Sequence, residues 1–509
     1  MLLALVAATA FATYQPATVA PPIAVPPTRH CTVALLHGER FINGEAPHLG
    51  DYAPPAACPG PWAKVVLTWR TRIAGRQYDR IGALWIGRRE IYRFTTAEPT
   101  PHGIDYTVSK DVTAYAPVLR EPQSRVAELG NFTNKTYTGI YTIDASLTFY
   151  QAGPTSPAPS PADLILPIDN ENAALPWFAL DKPADSAQIT YATLPRNIEH
   201  AALQVYSTSH GCDEFAYTNQ SDAYAAAHKA DGLSGGGPYR EIDVRIDGKL
   251  ASVIYPFPWI YTGGINPMLW RPLSAIDTLN IPPYRVDLDP FAGVLSDGRP
   301  HTFAISVFND RGDWPTDANL FLWRDKGAAV TGGAIVRDTI PQPSLPRSHE
   351  PPVSARAGDF STTASAEWYV SGYVETSHGR VRHSISTFAD FTNRQHLDLD
   401  AGAQTARQFS NVFTGGSAQS ALLDVRLSSP NVPKGAPYDL VIDAHVLQAR
   451  FTQAGHRFCY ERVLANALYK RAKNPANTIA RGTNASTSTC TGRNAYHITK
   501  RAVDGALTP

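Results

Sequence analysis

The stretch Glu241-Ile242-Asp243-Val244-Arg245-Ile246-Asp247-Gly248-Lys249-Leu250 carries the fold in miniature. Ile242, Val244 and Ile246 alternate with Glu241, Asp243 and Arg245, the two-residue period of a half-buried strand. Asp247-Gly248 follows at once and is a favoured two-residue hairpin turn. From Leu250 the chain returns as the partner strand. The alternation recurs at Val65, Leu67 and Trp69, at Leu203 and Val205, at Phe303, Ile305 and Val307, and at Leu440, Ile442 and Ala444. No segment keeps a 3.6-residue period over three turns, and proline-interrupted turns come at short intervals. The expectation is an all-β protein of antiparallel sandwiches or jelly rolls.

At 509 residues the chain is long enough for about three domains. Two proline-rich linkers divide it. One runs from Gly153 to Pro161 and the other from Pro341 to Pro352. The expected units are 30–152, 163–338 and 353–509, all β-rich, with no internal repeat. Charged residues make up 18%, and the 42 prolines, 23 tyrosines and 19 phenylalanines favour strands and turns over long helices. Lys plus Arg equals Asp plus Glu at 45 each, so there is no basic field of the kind nucleic acid requires. No apolar run reaches the ~20 residues needed to span a bilayer.

Residues 1–12 resemble the core and cleavage region of a secretory signal, with Ala10-Phe11-Ala12 as the cleavage candidate, although a positive leading region is missing. Among five cysteines, Cys31–Cys58 and Cys459–Cys490 are the simplest pairing, and Cys212 is left over. Such pairing suits an oxidising compartment, so a secreted or periplasmic protein is expected. No CxxC or HxxxH spacing marks a zinc site, and no metal or organic cofactor is expected. There is no GxSxG, phosphate-binding loop or dinucleotide fingerprint.

Three segments could carry chemistry. In Arg76-Gln77-Tyr78-Asp79-Arg80, Asp79 stands at the entrance to the apolar strand around Leu84. It is either a carboxylate facing a cleft or a structural acid that pairs with Arg80 or caps a turn. In His210-Gly211-Cys212-Asp213-Glu214-Phe215, adjacent acids follow the Leu203/Val205 strand. A metal site there lacks a third well-spaced ligand. Residues 256–272 are dense in aromatics, Pro and Gly, too proline-rich for a core strand. Trp, Tyr, Asn and Arg in such a loop suit sugar recognition, aromatic faces packing on pyranose rings and polar groups bonding hydroxyls. The equal alternative is a packed inter-domain plug. Arg311-Gly312-Asp313 and the sequons at Asn131, Asn134, Asn219 and Asn484 are weaker signals.

Taken in order, these segments resemble the acidic, almond-type peptide:N-glycosidase A family. The residues that carry the resemblance are Tyr78 to Gly87, Arg93-Phe94-Thr95-Thr96-Ala97-Glu98-Pro99, Gly103-Ile104, Lys110 to Thr113, Gly211 to Asn219, Ile246 to Lys249, Tyr261 to Ile265 and Leu269-Trp270. Peptide:N-glycosidase F is similar at a greater distance, sharing an Asp-Arg after an aromatic residue and a Gly-Cys-x-Glu-aromatic segment. That resemblance implies two eight-stranded antiparallel sandwiches side by side, with the site at their interface. It implies Asp79 as the principal catalytic aspartate and Glu214 as a supporting glutamate. Arg80, Glu98, Asn131, Asp213, Tyr261, Asn266, Trp270 and Arg271 become the substrate-binding candidates, Trp270-Arg271 in the place of a sugar-contacting loop. A further glutamate of peptide:N-glycosidase F has no counterpart near Gly130-Asn131, and its disulfide beside the glutamate segment is absent. Region 353–509 falls outside the two-sandwich pattern.

The implied activity is hydrolysis of the amide between the proximal GlcNAc of an N-glycan and asparagine, at acid pH, by a monomer acting on glycopeptides and glycoproteins. An Asp79 base of ordinary pKa would already be ionised at mildly acid pH. The alternatives are an endo-acting glycoside hydrolase, with Asp79 and Glu214 flanking a glycosidic bond, and a glycan-binding sandwich in which the acids are structural.

Overall fold

The computed structural model describes residues 15–508 apart from 45, 263, 341–345, 416, 429–439, 455–456, 473–477, 492–494 and 505. The signal-like segment at 1–12 and the first residues of the second linker lie outside the described residues.

The first sandwich is formed by two four-stranded antiparallel sheets. One runs in the order His30–Phe41, Tyr141–Gln151, Trp62–Ile73, Ile104–Asp111, the other His48–Tyr52, Gln123–Leu129, Ile81–Ile86, Arg89–Thr95. Their inner faces share one core, in which Val65, Leu67 and Trp69 meet Tyr92 and Phe94 from the opposite sheet. The Trp69 ring lies 5.4 Å from Tyr92 and 5.0 Å from Phe94, within the range of favourable aromatic pairing.

The second sandwich has nine strands where the resemblance implied eight. Ala187–Tyr191, His301–Phe308, Glu241–Ile246 and Lys249–Ile254 make one sheet. Phe178–Leu180, Trp314–Arg324, Ile198–Ser207 and Tyr284–Asp287 make the other, and Leu164–Ile168 is added to it. The ninth strand exists because one edge of Trp314–Arg324 is covered end to end by two short strands, at 314–316 and at 318–322. Asp247 and Gly248 take φ of 51° and 78°, the left-handed pair that a tight hairpin needs. Ile242, Val244 and Ile246 face the core as expected, but Glu241 and Asp243 are buried as well. The cause is a third layer: Tyr239, Leu250, Val253 and Tyr255 pack against Ala364, Trp368, Ala389 and Phe391.

That third layer is one eleven-stranded antiparallel sheet. It begins with Gly332–Asp338 and Arg347–His349, both paired to Ala357–Thr376, and ends with Ala506–Thr508. Segment 256–272 fills the space beneath it, with Trp259, Tyr261, Met268, Leu269 and Trp270 against Leu423, Ile442, Val446 and Tyr469. Both disulfides are present. Cys31–Cys58 ties the first strand to the loop before Trp62, and Cys459–Cys490 joins directly opposed residues of neighbouring strands. Cys212 is free and exposed. No described helix is long and apolar enough to cross a membrane.

Candidate active site

Asp79 sits in the loop joining Trp62–Ile73 to Ile81–Ile86, and that loop is clamped on both sides. The Gln77 amide donates to the carbonyls of Phe132 (2.7 Å) and Gly139 (3.3 Å), and its oxygen accepts from the Tyr78 backbone N–H (3.0 Å). The Tyr141 hydroxyl donates to the Tyr78 carbonyl at 2.9 Å. The Arg80 N–H donates to Thr96 Oγ1, and the Thr96 N–H returns to the Arg80 carbonyl, both at 2.9 Å.

Glu214 caps the one-turn helix Gly211–Asp213 just beyond the Ile198–Ser207 strand. Its neighbour Asp213 anchors the turn. Asp213 receives Arg240 at 2.8 and 2.5 Å, the Arg311 N–H at 3.0 Å and the Trp314 indole N–H at 2.9 Å. Burial raises the Asp213 carboxyl, but these donors outweigh it and hold the group below the ordinary carboxylate range. Its acceptor capacity is taken up inside the protein. Gly312 explains the Arg311-Gly312-Asp313 run: a Cβ there would stand 2.3 Å from the His210 carbonyl oxygen and 2.8 Å from the Asp213 Cβ. Only glycine lets the two loops approach this closely.

A buried network fixes the two loops relative to each other. Fully buried Arg93, on Arg89–Thr95, donates to Glu90 at 2.8 and 2.6 Å, to Thr208 Oγ1 at 3.1 Å and to the Pro315 carbonyl at 3.0 Å. The Trp85 indole donates to Asp317 at 2.6 Å. Glu90 and Asp317 are both pushed upward, first by burial, even with Arg93 between the two sandwiches.

Asp79 and Glu214, far apart in sequence, are brought into electrostatic range. Desolvation is the largest cause raising the Asp79 carboxyl well above its usual value, and the charges of Glu214 and Glu98 add to it. Asp79 retains some exposed surface, yet protein surrounds it closely enough for burial to dominate. Glu214 is pushed up to about 7 by burial. The ordinary pKa expected for Asp79 therefore does not hold. Tyr217 and Tyr261 lie close enough to Glu214 to feel its charge. A Cβ on Gly264 would stand 3.7 Å from Glu214 Oε1. His210 stacks on Tyr261 at 4.8 Å and 9°, and burial lowers its pKa to about 3, so it stays neutral above that.

The other candidates divide. Arg80 is half-buried beside Asp79, bonded to Gln77, with Nε unpartnered among the described residues. Glu98 and Arg271 form a buried ion pair, and the Arg271 guanidinium lies 4.6 Å over the Trp270 ring. Trp270 and Tyr261 are 6% and 1% exposed, inside the plug under the third sheet. Asn266 is fully buried, its amide donated to the carbonyls of Ile442 (2.9 Å) and Ala467 (3.0 Å). Asn131 is buried too and donates to Phe41 and Gly139 carbonyls at 2.8 and 3.2 Å. Asp213, Asn131 and Asn266 are thus committed to backbone and ion-pair partners within the fold.

Residues beyond the expected set complete the surface. Tyr78 and Phe132 are 45% and 41% exposed. The Tyr137 ring lies 4.5 Å from Tyr78 and 5.6 Å from Phe132, and Arg80 lies 4.2 Å over Phe132. The three rings make an exposed aromatic shelf beside Asp79. Their signal in the sequence was two aromatics, Phe132 and Tyr137, in an otherwise polar loop.

The model of the family described as Peptide N-acetyl-beta-D-glucosaminyl asparaginase amidase A matches residues 21–340. Peptide-N4-(N-acetyl-beta-glucosaminyl)asparagine amidase A from Prunus dulcis is 38% identical over 407 residues, covering 76% of this chain and 70% of that protein. Two solved structures of PNGF-II, in C2 and P21 crystal forms, are 14% identical with TM-scores of 0.39 and 0.40. Those matches cover 58% of this chain and 65% and 66% of the PNGF-II chains, less than two thirds of their length. The chain belongs to the peptide N-acetyl-beta-D-glucosaminyl asparaginase amidase A family.

Proposed function

We infer that this protein hydrolyses the amide joining the proximal GlcNAc of an N-glycan to asparagine, in glycopeptides and glycoproteins. Water adds its oxygen to the amide carbonyl carbon, and the C–N bond breaks. The glycan leaves as a glycosylamine, which then loses ammonia, and the peptide retains aspartate. Family membership supports the reaction class. The observation that carries the assignment to particular residues is the convergence of Asp79 and Glu214, one from each sandwich, beside the exposed shelf of Tyr78, Phe132 and Tyr137.

Amide hydrolysis needs a proton taken from water and another given to the departing nitrogen. Two carboxyls in mutual electrostatic range, both raised by burial, hold a proton between them at mildly acid pH and titrate as a pair. The ionised member takes the water proton and the protonated member gives one to nitrogen. The proton belongs to the pair, Asp79 being raised by burial and then by the charges of Glu214 and Glu98, and Glu214 by burial. Acid-side activity then rests on retention of that proton. It does not rest on an ordinary aspartate already ionised. Arg80, half-buried beside Asp79, supports the developing oxyanion. The shelf seats the sugar rings, a task expected of Trp270 and Tyr261, which lie mostly within the plug. With its two disulfides the protein suits a secreted or periplasmic setting, acting as a monomer.

The test is mass spectrometry of a purified N-glycopeptide after incubation at mildly acid pH in heavy-oxygen water. Aspartate carrying one solvent oxygen at the former glycan site is the expected product, and Asp79→Asn should not form it. A single GlcNAc left on asparagine would make the protein a glycosidase. Retention of glycan with no product would make it a lectin.

A further inference from the structure

Three residues from three separate elements meet at the far end of the Ile198–Ser207 strand from Glu214, on the order of 20 Å away along the strand. They are His200 on that strand, Asp289 in the one-turn helix Asp289–Phe291, and His383 on the third-sheet strand Gly379–Asp398. One ligand atom from each lies within 4.8 Å of the other two. His200 Nδ1 is 2.9 Å from Asp289 Oδ2, and His383 Nδ1 is 3.6 Å from the same oxygen.

A histidine–aspartate hydrogen bond accounts for His200 and leaves His383 unexplained. At 3.6 Å it is beyond hydrogen-bond reach of Asp289, and its Nε2 is buried with no partner among the described residues. An imidazole only 13% exposed, with Nε2 buried and unpartnered among the described residues and Nδ1 facing Asp289 from beyond hydrogen-bond distance, is not accounted for by the histidine–aspartate pair alone. Donors at zinc–ligand distances around a tetrahedral centre are about 3.3 Å apart. The two observed spacings straddle that value. The other Asp289 oxygen accepts from the Ala201 N–H at 2.9 Å, the kind of outer bond that orients a ligating carboxylate. Glu199 Oε1, held by His378 at 2.9 Å, stands 3.9 Å from His200 Nε2. A cleft of about 260 Å³ lined by His200, Arg285, Asp287, Asp289 and Trp323 brings solvent to two of the three residues.

We propose that His200, Asp289 and His383 bind one zinc-class divalent cation, with water completing the tetrahedron, and that this ion staples the second sandwich to the third sheet. Two imidazoles and one carboxylate are a donor set that zinc favours. The ligands come from positions scattered through the chain, so no spacing motif marks them. The site takes no part in the amidase reaction.

The experiment uses full-length, tag-free protein stripped with a chelator, dialysed, and titrated with zinc chloride at pH 8, where imidazole is largely neutral. The expected result is one equivalent bound, and a rise in unfolding temperature of roughly 5 °C at zinc a hundredfold above its Kd. Cobalt substitution should give the visible d–d bands of a four-coordinate ion. H200Q and H383Q should each lose the zinc-dependent rise and the bands. Amidase turnover of both variants, measured alongside, should be unchanged and certify that they are folded. No uptake by the wild-type chain, or uptake that both folded variants retain, would overturn the proposal.

Discussion

Asp213 and Glu214 are adjacent carboxylates to which the structure gives opposite situations, and their isosteric amides should separate them. Among the described residues Asp213 is the sole carboxylate bonded to Arg240, whose side chain is 3% exposed. Asp213→Asn leaves that guanidinium buried without a counter-charge and weakens the bonds from Arg311 and Trp314. Breaking one side of a buried pair costs about 3–5 kcal/mol. For domains of this size that is a loss of roughly 10 °C in unfolding temperature. Glu214 is the reverse. Its folded pKa of about 7 lies above the unfolded value, so its ionisation opposes folding as pH rises through that interval, and the cost is complete above pH 7. Glu214→Gln removes a cost of at most about 3 kcal/mol there. Its unfolding temperature should equal or exceed wild type at pH 8 and converge with it below pH 4. Asp213, held below its unfolded pKa, adds stability that is present above the unfolded pKa and lost as pH falls through the folded one. The assay is calorimetric unfolding at pH 4 and pH 8, with glycopeptide turnover measured on the same preparations. Glu214→Gln should lose about 10²–10⁴ in kcat while folded. If Asp213→Asn melts with wild type while Glu214→Gln melts several degrees lower at pH 8, the assignment of anchor and catalyst is reversed and the reasoning fails.

Other expectations test the rest of the site. Because the carboxyl pair must keep a proton, kcat should decline as pH rises through about 7, the value to which burial brings Glu214. A pH–rate profile flat from 5 to 9 would contradict this. Phe132→Ala with Tyr137→Ala should raise KM for glycopeptide about tenfold or more and leave kcat nearly intact, since the shelf binds rings and touches no reacting bond. A matching loss in kcat with KM unchanged would place the rings elsewhere in the mechanism. Asn266→Ala strips donors from two buried carbonyls of the third sheet and should cost roughly 2–4 kcal/mol. Faster limited proteolysis within 353–509 would report it, and wild-type resistance would show that the anchor is dispensable.

The all-β architecture was legible in the sequence because a strand's period and a hairpin's turn are local properties. Glu241–Ile254 declared its register through alternating side chains and Asp247-Gly248, and the structure has both. The disulfide pairs were legible because each joins cysteines with short separations of 27 and 31 residues. The burial of Glu241 and Asp243 was not legible, since it depends on a sheet formed by strands more than a hundred residues later. Segment 256–272 read equally well as a sugar loop or a plug. Composition is the same for both, and only the third sheet lying over Asn266 and Trp270 makes it a plug. The sequence by itself determined that Asp79 and Glu214 stand on aromatic-flanked loops at strand ends. It could not determine that they share an environment, that Asp213 is spent on Arg240, or that burial lifts both site carboxyls out of their ordinary range. Those are consequences of desolvation and of charges brought near by folding. Both depend on the protein atoms around each carboxyl, and tertiary packing alone supplies them.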